Sequence, residues 1–325
     1  MRHFKTALLL CLFTLNGCVA VIESNEMMKR TQALLNANFQ GTTIKDLEYA
    51  EGEYHHYDLY LPVDKNNTRS QKLILFVHGG GWTSGSKENG ENWCRYFAHQ
   101  GYTTAALDYS LQTKGQTPSI DDMIEEMHLC IEAIVNKTAE EGIMLDEMAL
   151  NGFSAGGCLA LLFAYRETPE LPLKFVIEQS APTTFDPKEW EDGVHWFVTH
   201  TTGVNGSAEG AAAFITKMSG QTVTASMIED GSARSIYEAI SPVCHINYAS
   251  PPTLCGYGLT DGVVPPSHRQ LLHDHLVEYS VPFDYFEFPH SGHALAYDMD
   301  VQEAFLEQAD DYCERYFSPI CDYRR

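Results

Sequence analysis

The sequence is poor in positive charge. It has 21 Lys and Arg against 44 Asp and Glu in 325 residues, which gives a formal net charge of -23. A field of this sign repels nucleic acid and anionic membranes, and it does not help to capture an acidic substrate. The composition therefore predicts no nucleic-acid partner and favours neutral or cationic small molecules. An apolar content of 44% is ordinary for a packed globular protein.

Metal-ligand spacing is also missing from the sequence. No CxxC pair and no Cys/His cluster has the spacing of a structural zinc site, so we predict no bound metal. Cysteines are present, and the seven that follow Cys18 are odd in number, so at least one stays free or pairs between chains. Cys158 is predicted to be a small core residue. The predicted disulfides are Cys313–Cys321, Cys244–Cys255 and Cys94–Cys130.

The first 17 residues have the pattern of an export signal. Arg2 and Lys5 precede a short apolar run at residues 7–15, which is too short to anchor the chain stably in a bilayer. The Leu-Asn-Gly-Cys that ends at Cys18 resembles the lipobox of bacterial lipoproteins. We expect removal of residues 1–17 and lipidation of Cys18, with an ordinary cleaved secretory signal as the alternative. The mature chain is then a periplasmic or cell-surface lipoprotein, or it is secreted.

The pattern of apolar residues predicts one α/β domain. From residue 54 onward, short apolar runs alternate with longer amphipathic stretches, which is typical of a doubly wound, mostly parallel sheet. We predict a tether or peripheral helix at 18–45 and the catalytic domain at 46–325. Strands are predicted at 57–61 (half-exposed), 72–77, 103–107, 147–151, 175–178, 253–257 and 283–288, and helices at 88–100, 121–135, 154–164 and 301–316.

The alternation breaks down between residues 182 and 246. This stretch is too long for a plain connection and too apolar for a linker. We predict a helical cap over the active site, with a surface insertion as the alternative. Its aromatic residues either form an apolar acyl or aryl pocket or pack the cap onto the body. These residues are Trp190, Trp196, Phe197 and Phe214.

Residues 152–156 read Gly-Phe-Ser-Ala-Gly and match the pattern G-x-S-x-G. In this pattern a sharp strand-to-helix turn holds the serine in a strained conformation, and side chains in place of the glycines would block the turn. A predicted strand precedes the motif and a predicted helix follows it, as the pattern requires. Ser154 is therefore the candidate nucleophile, and the helix N-terminus favours the negative charge that develops beside it.

Residues 78–82 read His-Gly-Gly-Gly-Trp and follow directly after a predicted buried strand. A run of glycines allows bare N–H groups to approach an acyl oxygen where a Cβ would otherwise intervene. Together with the N–H of Ala155, this loop is predicted to stabilise a tetrahedral oxyanion. The alternative is a flexible turn without a chemical role.

The base and the acid are predicted from chain order. His293 lies in a loop after the last predicted strand, where it can reach Ser154, and His290 is the weaker candidate. Asp261 follows the preceding strand and would orient the imidazole, which gives the order Ser, Asp, His. The other carboxylates are more simply explained as surface groups: Asp284, Asp298 and Asp300.

These motifs together resemble the α/β-hydrolase esterase family, which includes the hormone-sensitive-lipase-like carboxylesterases and the esterase/arylformamidase group. The similarity covers roughly residues 55–315. It implies that Gly80 and Gly81, with Ala155, donate to the oxyanion. Two departures concern the substrate: Phe153 stands where lipase-like members often carry an acidic residue, and Ser110 replaces the usual arginine of Tyr-Arg-Leu.

The sequence thus predicts a serine carboxylesterase that hydrolyses neutral short-chain or aryl esters through an acyl-enzyme, without a metal or an organic cofactor. Two alternatives remain open. The same machinery acts on amides in arylformamidases and peptidase-like relatives, and some proteins keep this fold only for binding.

Overall fold

The computed structural model describes residues 39–113, 115–191 and 206–318. Its eight strands are β1 (Thr42–Glu48), β2 (His56–Leu61), β3 (Lys72–Val77), β4 (Thr103–Leu107), β5 (Glu147–Phe153), β6 (Leu173–Gln179), β7 (Thr253–Gly258) and β8 (Phe283–Phe288). They form one sheet in the order β1-β2-β4-β3-β5-β6-β7-β8. β2 pairs antiparallel with both β1 and β4, and every other pair is parallel.

Helices cover both faces of this sheet. In the described ranges they are α1 (Glu91–His99), α2 (Ile120–Glu140), α3 (Ala155–Arg166), α4 (Pro187–Glu191), α5 (Ala208–Ser219), α6 (Ala225–Glu229), α7 (Arg234–Ala239), α8 (Pro266–Glu278) and α9 (Met299–Tyr316). Alternate side chains of a strand point to opposite faces. Leu75 of β3 accordingly joins the core beneath α2, α3 and α8, whereas the next core beneath α1 and α9 contains Ile74. The prediction of a doubly wound, mostly parallel sheet is confirmed.

The N-terminal edge of the sheet corrects two predictions. Residues 42–45 belong to β1 rather than to a tether, because their backbone pairs with β2. The alternating strand 57–61 is fully buried instead of half-exposed. Its polar residue Asp58 accepts a hydrogen bond from the backbone N–H of Asp46 at 2.9 Å and lies 3.8 Å from the ammonium group of Lys87. The alternating pattern predicted that Asp58 faces solvent, whereas its side chain lies in a buried ion cluster.

Helix α8 was not among the predicted helices. Its sequence is rich in histidine and charge, and only His268, Leu272 and Leu276 are buried, at four-residue intervals. Such a narrow apolar stripe gives little periodic signal. The helix matters for the site because it follows the loop that carries Asp261.

The insertion predicted at 182–246 is helical where the structure describes it. It contains α4 to α7 and a 3₁₀ helix at Pro242–His245, and residues 192–205 with Trp196 and Phe197 lie outside the described ranges. The ring centroids of Trp190 and Phe214 are 5.4 Å apart, and Phe185 lies 5.7 Å from Phe214 and 5.6 Å from Trp82. These buried aromatic residues pack the insertion onto the body of the protein.

The described cysteines correct the predicted disulfides. Cys94 and Cys130 carry free thiols, as do Cys244 and Cys255, so neither predicted pair is bonded. Cys313 is also a free, buried thiol, so its predicted bridge to Cys321, which lies outside the described ranges, is not formed either. Cys158 is fully buried in the core, as predicted. In the described part of the chain, no helix is long and apolar enough to cross a membrane.

Candidate active site

Ser154 occupies a strained turn between β5 and α3. Its backbone has φ 54° and ψ -122°, a conformation that non-glycine residues rarely adopt. The motif glycines make the turn possible. A Cβ built on Gly156 would lie 2.1 Å from the carbonyl oxygen of Val77, and one on Gly152 would lie 2.5 Å from that of Gly156. The N–H of Ser154 donates to the carbonyl of Gln179 at 2.8 Å, which ties the turn to the end of β6.

The three predicted triad side chains meet at the carboxyl edge of the sheet. The Nε2 atom of His293 lies 2.8 Å from the hydroxyl of Ser154, and its Nδ1 atom lies 2.9 Å from a carboxylate oxygen of Asp261. An ionised carboxylate only accepts hydrogen bonds, so Nδ1 carries the proton and Nε2 faces the serine with a free lone pair. The other oxygen of Asp261 accepts from the N–H groups of Val263 and Val264 at 2.7 and 3.0 Å.

The loops of the acid and the base pack directly against each other. A Cβ on Gly258 would lie 2.2 Å from the carbonyl oxygen of Gly292, so only glycine fits at this contact. The N–H of Thr260 donates to the carbonyl of Ser291 at 3.1 Å. The backbone carbonyl of His293 in turn accepts from the hydroxyl of Ser180 at 2.9 Å. The imidazole is therefore held from its ring and from its backbone.

The glycine loop lies against the nucleophile. Gly80 has φ 123° and Gly81 has φ 61°, both of which favour glycine. A Cβ on Gly79 would lie 3.1 Å from the Cβ of Ser154. The N–H groups of Gly80, Gly81 and Ala155 donate to no acceptor among the described residues. The structure thus brings all three predicted oxyanion donors to the neighbourhood of Ser154 with their N–H groups unpaired.

His78 fixes the direction of the first of these donors. Its Nδ1 atom lies 2.8 Å from the carbonyl oxygen of Gly79, and its ring stacks on Tyr109 with centroids 4.2 Å apart. Burial lowers the pKa of His78 to about 4, so the ring is neutral near pH 7. The carbonyl of Gly79 and the N–H of Gly80 belong to one planar trans peptide and point in opposite directions. Holding the carbonyl therefore turns the N–H of Gly80 away from His78.

The sequence interpretation missed Ser180 and misjudged Asp298. Asp298 is 5% exposed and not a surface carboxylate, because Ser291 and His290 both donate to it. His290 makes this structural hydrogen bond and leaves the triad to His293. Asp300 is exposed, as predicted. No motif marks Ser180, whose role depends on a contact 113 residues away in sequence.

A comparison with protein families identifies the relationship. Residues 57–276 match the model of the family described as BD-FAE, which is well over half of the chain. The chain belongs to the BD-FAE family. The BD-FAE match includes the glycine loop, Ser154 and Asp261, and it ends before His293. The base of this BD-FAE protein is therefore located by the geometry of the triad.

Several curated proteins are similar to this BD-FAE chain. "Probable carboxylic ester hydrolase LipM" from Mycobacterium tuberculosis is 26% identical over 254 residues, which cover 77% of this chain and 56% of LipM. "Probable isoprenylcysteine alpha-carbonyl methylesterase ICMEL1" from Oryza sativa is 31% identical over 136 residues, which cover 41% of this chain and 31% of the rice protein. Kynurenine formamidase from Salmo salar is 25% identical over 141 residues, 42% of this chain and 45% of the enzyme. The matches thus span little more than half of these relatives' length at most.

Solved structures share the fold of this BD-FAE protein. An inhibited esterase B from Lactobacillus Rhamnosis superimposes with a TM-score of 0.64, at 18% sequence identity, over 93% of this chain and 95% of the esterase. At this level of sequence identity, the superposition establishes only that the two proteins share the α/β-hydrolase fold.

Proposed function

We propose that this protein is a serine carboxylesterase that hydrolyses neutral short-chain or aryl esters through an acyl-enzyme. The observation that carries the proposal is the row formed by Asp261, His293 and Ser154, with contacts of 2.9 and 2.8 Å. A nucleophile, a base within hydrogen-bond reach and a third group that orients the base are the minimum for this chemistry. The ester-hydrolase relatives support the reaction class.

In the proposed reaction, each group has one role. Ser154 attacks the ester carbonyl while His293 takes its proton, and Asp261 stabilises the resulting imidazolium. The negative charge on the former carbonyl oxygen is stabilised by the N–H groups of Gly80, Gly81 and Ala155. The imidazolium then protonates the leaving alcohol. In the second half, His293 deprotonates a water molecule that attacks the acyl-enzyme, which releases the carboxylic acid and restores Ser154.

Replacement of the nucleophile tests this proposal. Ser154→Ala is expected to lower kcat by about 10⁴ or more, because covalent catalysis is lost while the fold stays intact. The measurement is hydrolysis of p-nitrophenyl acetate together with the thermal unfolding midpoint. Ser226→Ala, on the exposed side of α6, is the matched control and should keep wild-type turnover. Ester cleavage by the Ser154 variant within tenfold of wild type contradicts the assignment.

Hydrolysis of an amide is the second candidate, supported by the similarity to kynurenine formamidase. The same triad cleaves both bond types, and only the leaving group differs. Rates on p-nitrophenyl acetate, N-formylkynurenine and a dipeptide anilide separate the two. A fluorophosphonate probe addresses the binding-only alternative, since labelling of Ser154 requires an activated serine.

We further propose that the protein is exported and anchored by a lipid on Cys18. The support is the sequence alone: the basic start, the apolar run at 7–15 and the lipobox-like residues before Cys18. Expression in a bacterial host with labelled palmitate should give a membrane-bound, labelled product. Cys18→Ala should release the protein and abolish the label. Equal labelling of both forms contradicts the anchor.

A further inference from the structure

The loop that carries His293 is closed by a buried carboxylate. This loop, residues 289–298, connects β8 to α9 and ends at Asp298. The carboxylate of Asp298 accepts the hydroxyl of Ser291 at 2.6 Å, the backbone N–H of His290 at 3.0 Å and the Nδ1–H of His290 at 2.7 Å. The end of the loop is thereby bound to its beginning, with His293 between them.

Ser291 extends this contact to the loop of the catalytic acid. Its hydroxyl oxygen accepts the N–H of Tyr297 at 3.0 Å, so that Ser291 is a link in a chain rather than an endpoint. Its carbonyl accepts the N–H of Thr260 at 3.1 Å, the residue next to Asp261. A continuous set of hydrogen bonds therefore runs from Asp298 through Ser291 to the backbone beside the acid.

Asp298 stands where it could cap a helix, but its side chain does not do so. Asp298 precedes α9 as its N-cap, where an aspartate usually accepts N–H groups of the first helical turn. Here its side chain makes no such bond. Within the described part of the chain, the hydrogen bonds of this carboxylate come from the loop that carries His293. The arrangement therefore serves the loop more than the helix.

The charge of Asp298 is maintained despite its burial. Burial raises the pKa of Asp298, but hydrogen bonds from Ser291 and His290 outweigh this effect, so that the net pKa lies below the usual range. The titratable group that faces it is His290, whose side chain is exposed. A buried carboxylate without such donors would be costly. The three donors are accordingly held firmly by an ionised acceptor.

We propose that Asp298 is a positioning residue that, through Ser291, keeps the imidazole of His293 in line with Asp261. Its effect on turnover depends on the proposed function, whereas its effect on the His293–Asp261 hydrogen bond does not. Asp298 contacts neither substrate nor a reacting atom. It acts by fixing where the base loop meets the acid loop.

The experiment compares three variants. Asp298→Asn removes the ionised acceptor, Ser291→Ala removes the link alone, and Asp300→Asn is the control, because it removes an exposed charge two residues further along. In the first two, kcat for p-nitrophenyl acetate is expected to fall by about tenfold to a hundredfold with little change in KM, as expected of a misplaced catalytic group. Asp300→Asn should match wild type. Equal kcat in Asp298→Asn, Ser291→Ala and the control overturns the proposal.

A spectroscopic measurement separates positioning from stability and from the proposed function. The Nδ1 proton of His293 is shared with a carboxylate and should give a strongly deshielded proton resonance. We expect this resonance to broaden or shift in Asp298→Asn and Ser291→Ala well below their unfolding midpoints, and to be unchanged in Asp300→Asn. An unaltered resonance in both variants overturns the proposal, whether or not the protein hydrolyses esters.

A double-mutant cycle completes the test. If Asp298 acts through the pairing of His293 with Asp261, then Asp298→Asn should have little further effect on kcat in an Asp261→Asn background. The same fold-loss in both backgrounds contradicts that route.

Discussion

The two halves of the candidate site are held together by different means. On the nucleophile side, the elbow and the glycine loop fit together because side chains are missing, and a Cβ on Gly79, Gly152 or Gly156 would overlap its neighbours. On the acid and base side, side-chain hydrogen bonds of Asp298, Ser291 and Ser180 hold the base loop, which meets the acid loop through the Thr260–Ser291 backbone hydrogen bond and the close contact at Gly258. Glycine marks in the sequence the positions where a side chain would clash, whereas no local pattern marks a hydrogen bond between residues that are distant in sequence.

The end of β6 lies between the two halves. The carbonyl of Gln179 accepts the N–H of Ser154, and the hydroxyl of Ser180 donates to the carbonyl of His293. The N–H of Ala181 donates to the buried carboxyl of Glu178 at 3.0 Å. This short turn therefore contacts the nucleophile and the base at once.

Among the changes that test this contrast between the halves, Gly80→Ala on the nucleophile side is expected to have the largest effect. The added Cβ would lie 2.0 Å from the carbonyl oxygen of Ser84, and the backbone φ of 123° disfavours any side chain. The loop must shift and misdirect one oxyanion donor, which is expected to lower kcat by about 10²–10³. Steady-state kinetics on p-nitrophenyl acetate measure the loss.

Gly142→Ala is the control for backbone strain alone. Gly142 also has a positive φ, of 82°, but its Cβ would meet nothing within 4 Å. It should lose some stability and keep its kcat. If Gly80→Ala retains kcat as well, the glycine loop does not form the oxyanion site, and the contrast between the halves fails.

A smaller, pH-dependent effect is expected at the turn between the halves, from Glu178→Gln. Burial raises the pKa of Glu178 from 4.5 to about 8, so the folded protein holds this proton at a pH where the unfolded chain has lost it. The sign follows directly: wild type loses stability as the pH rises from about 4.5 toward 8, and a neutral glutamine does not. The unfolding free energy of the variant relative to wild type should therefore rise by on the order of 2 kcal/mol between about pH 5 and pH 7.

Denaturant unfolding at the two pH values measures this gain. Glu170→Gln is the matched control because its side chain is exposed, and its unfolding free energy should follow that of wild type. A gain of equal size at both pH values would mean that packing rather than ionisation explains the effect of Glu178→Gln.

The sheet could be predicted closely from the sequence where strands are buried on both faces. The fully buried strands 72–77 and 103–107 have the predicted bounds, and so does the partly exposed edge strand 283–288. The errors occur where polar residues in a strand hide or distort the apolar pattern. β1 is largely exposed and polar, so it gives no apolar pattern. Asp58 was interpreted as solvent-facing because it is polar, but it lies in a buried ion cluster.

The triad and the glycine loop were also predictable, because local features of the sequence mark them. Ser154 is marked by flanking glycines, and Asp261 and His293 by their place after consecutive strands. Nothing local distinguishes Asp298 from Asp300, although one is buried and the other exposed. The difference depends on which face of the turn meets Ser291, and that is decided by the tertiary fold.

The contact between Trp82 and the insertion has a consequence for exchanging the insertion with that of a relative. Trp82 directly follows the oxyanion glycines, its ring packs on Phe185, and Gln112 donates its backbone N–H to the carbonyl of Trp82 and its amide to the carbonyl of Lys217 in α5. A chimera that received the insertion of a relative would therefore also disturb the glycine loop, which we propose binds the oxyanion. We therefore expect an exchanged insertion to require a matching residue at position 82.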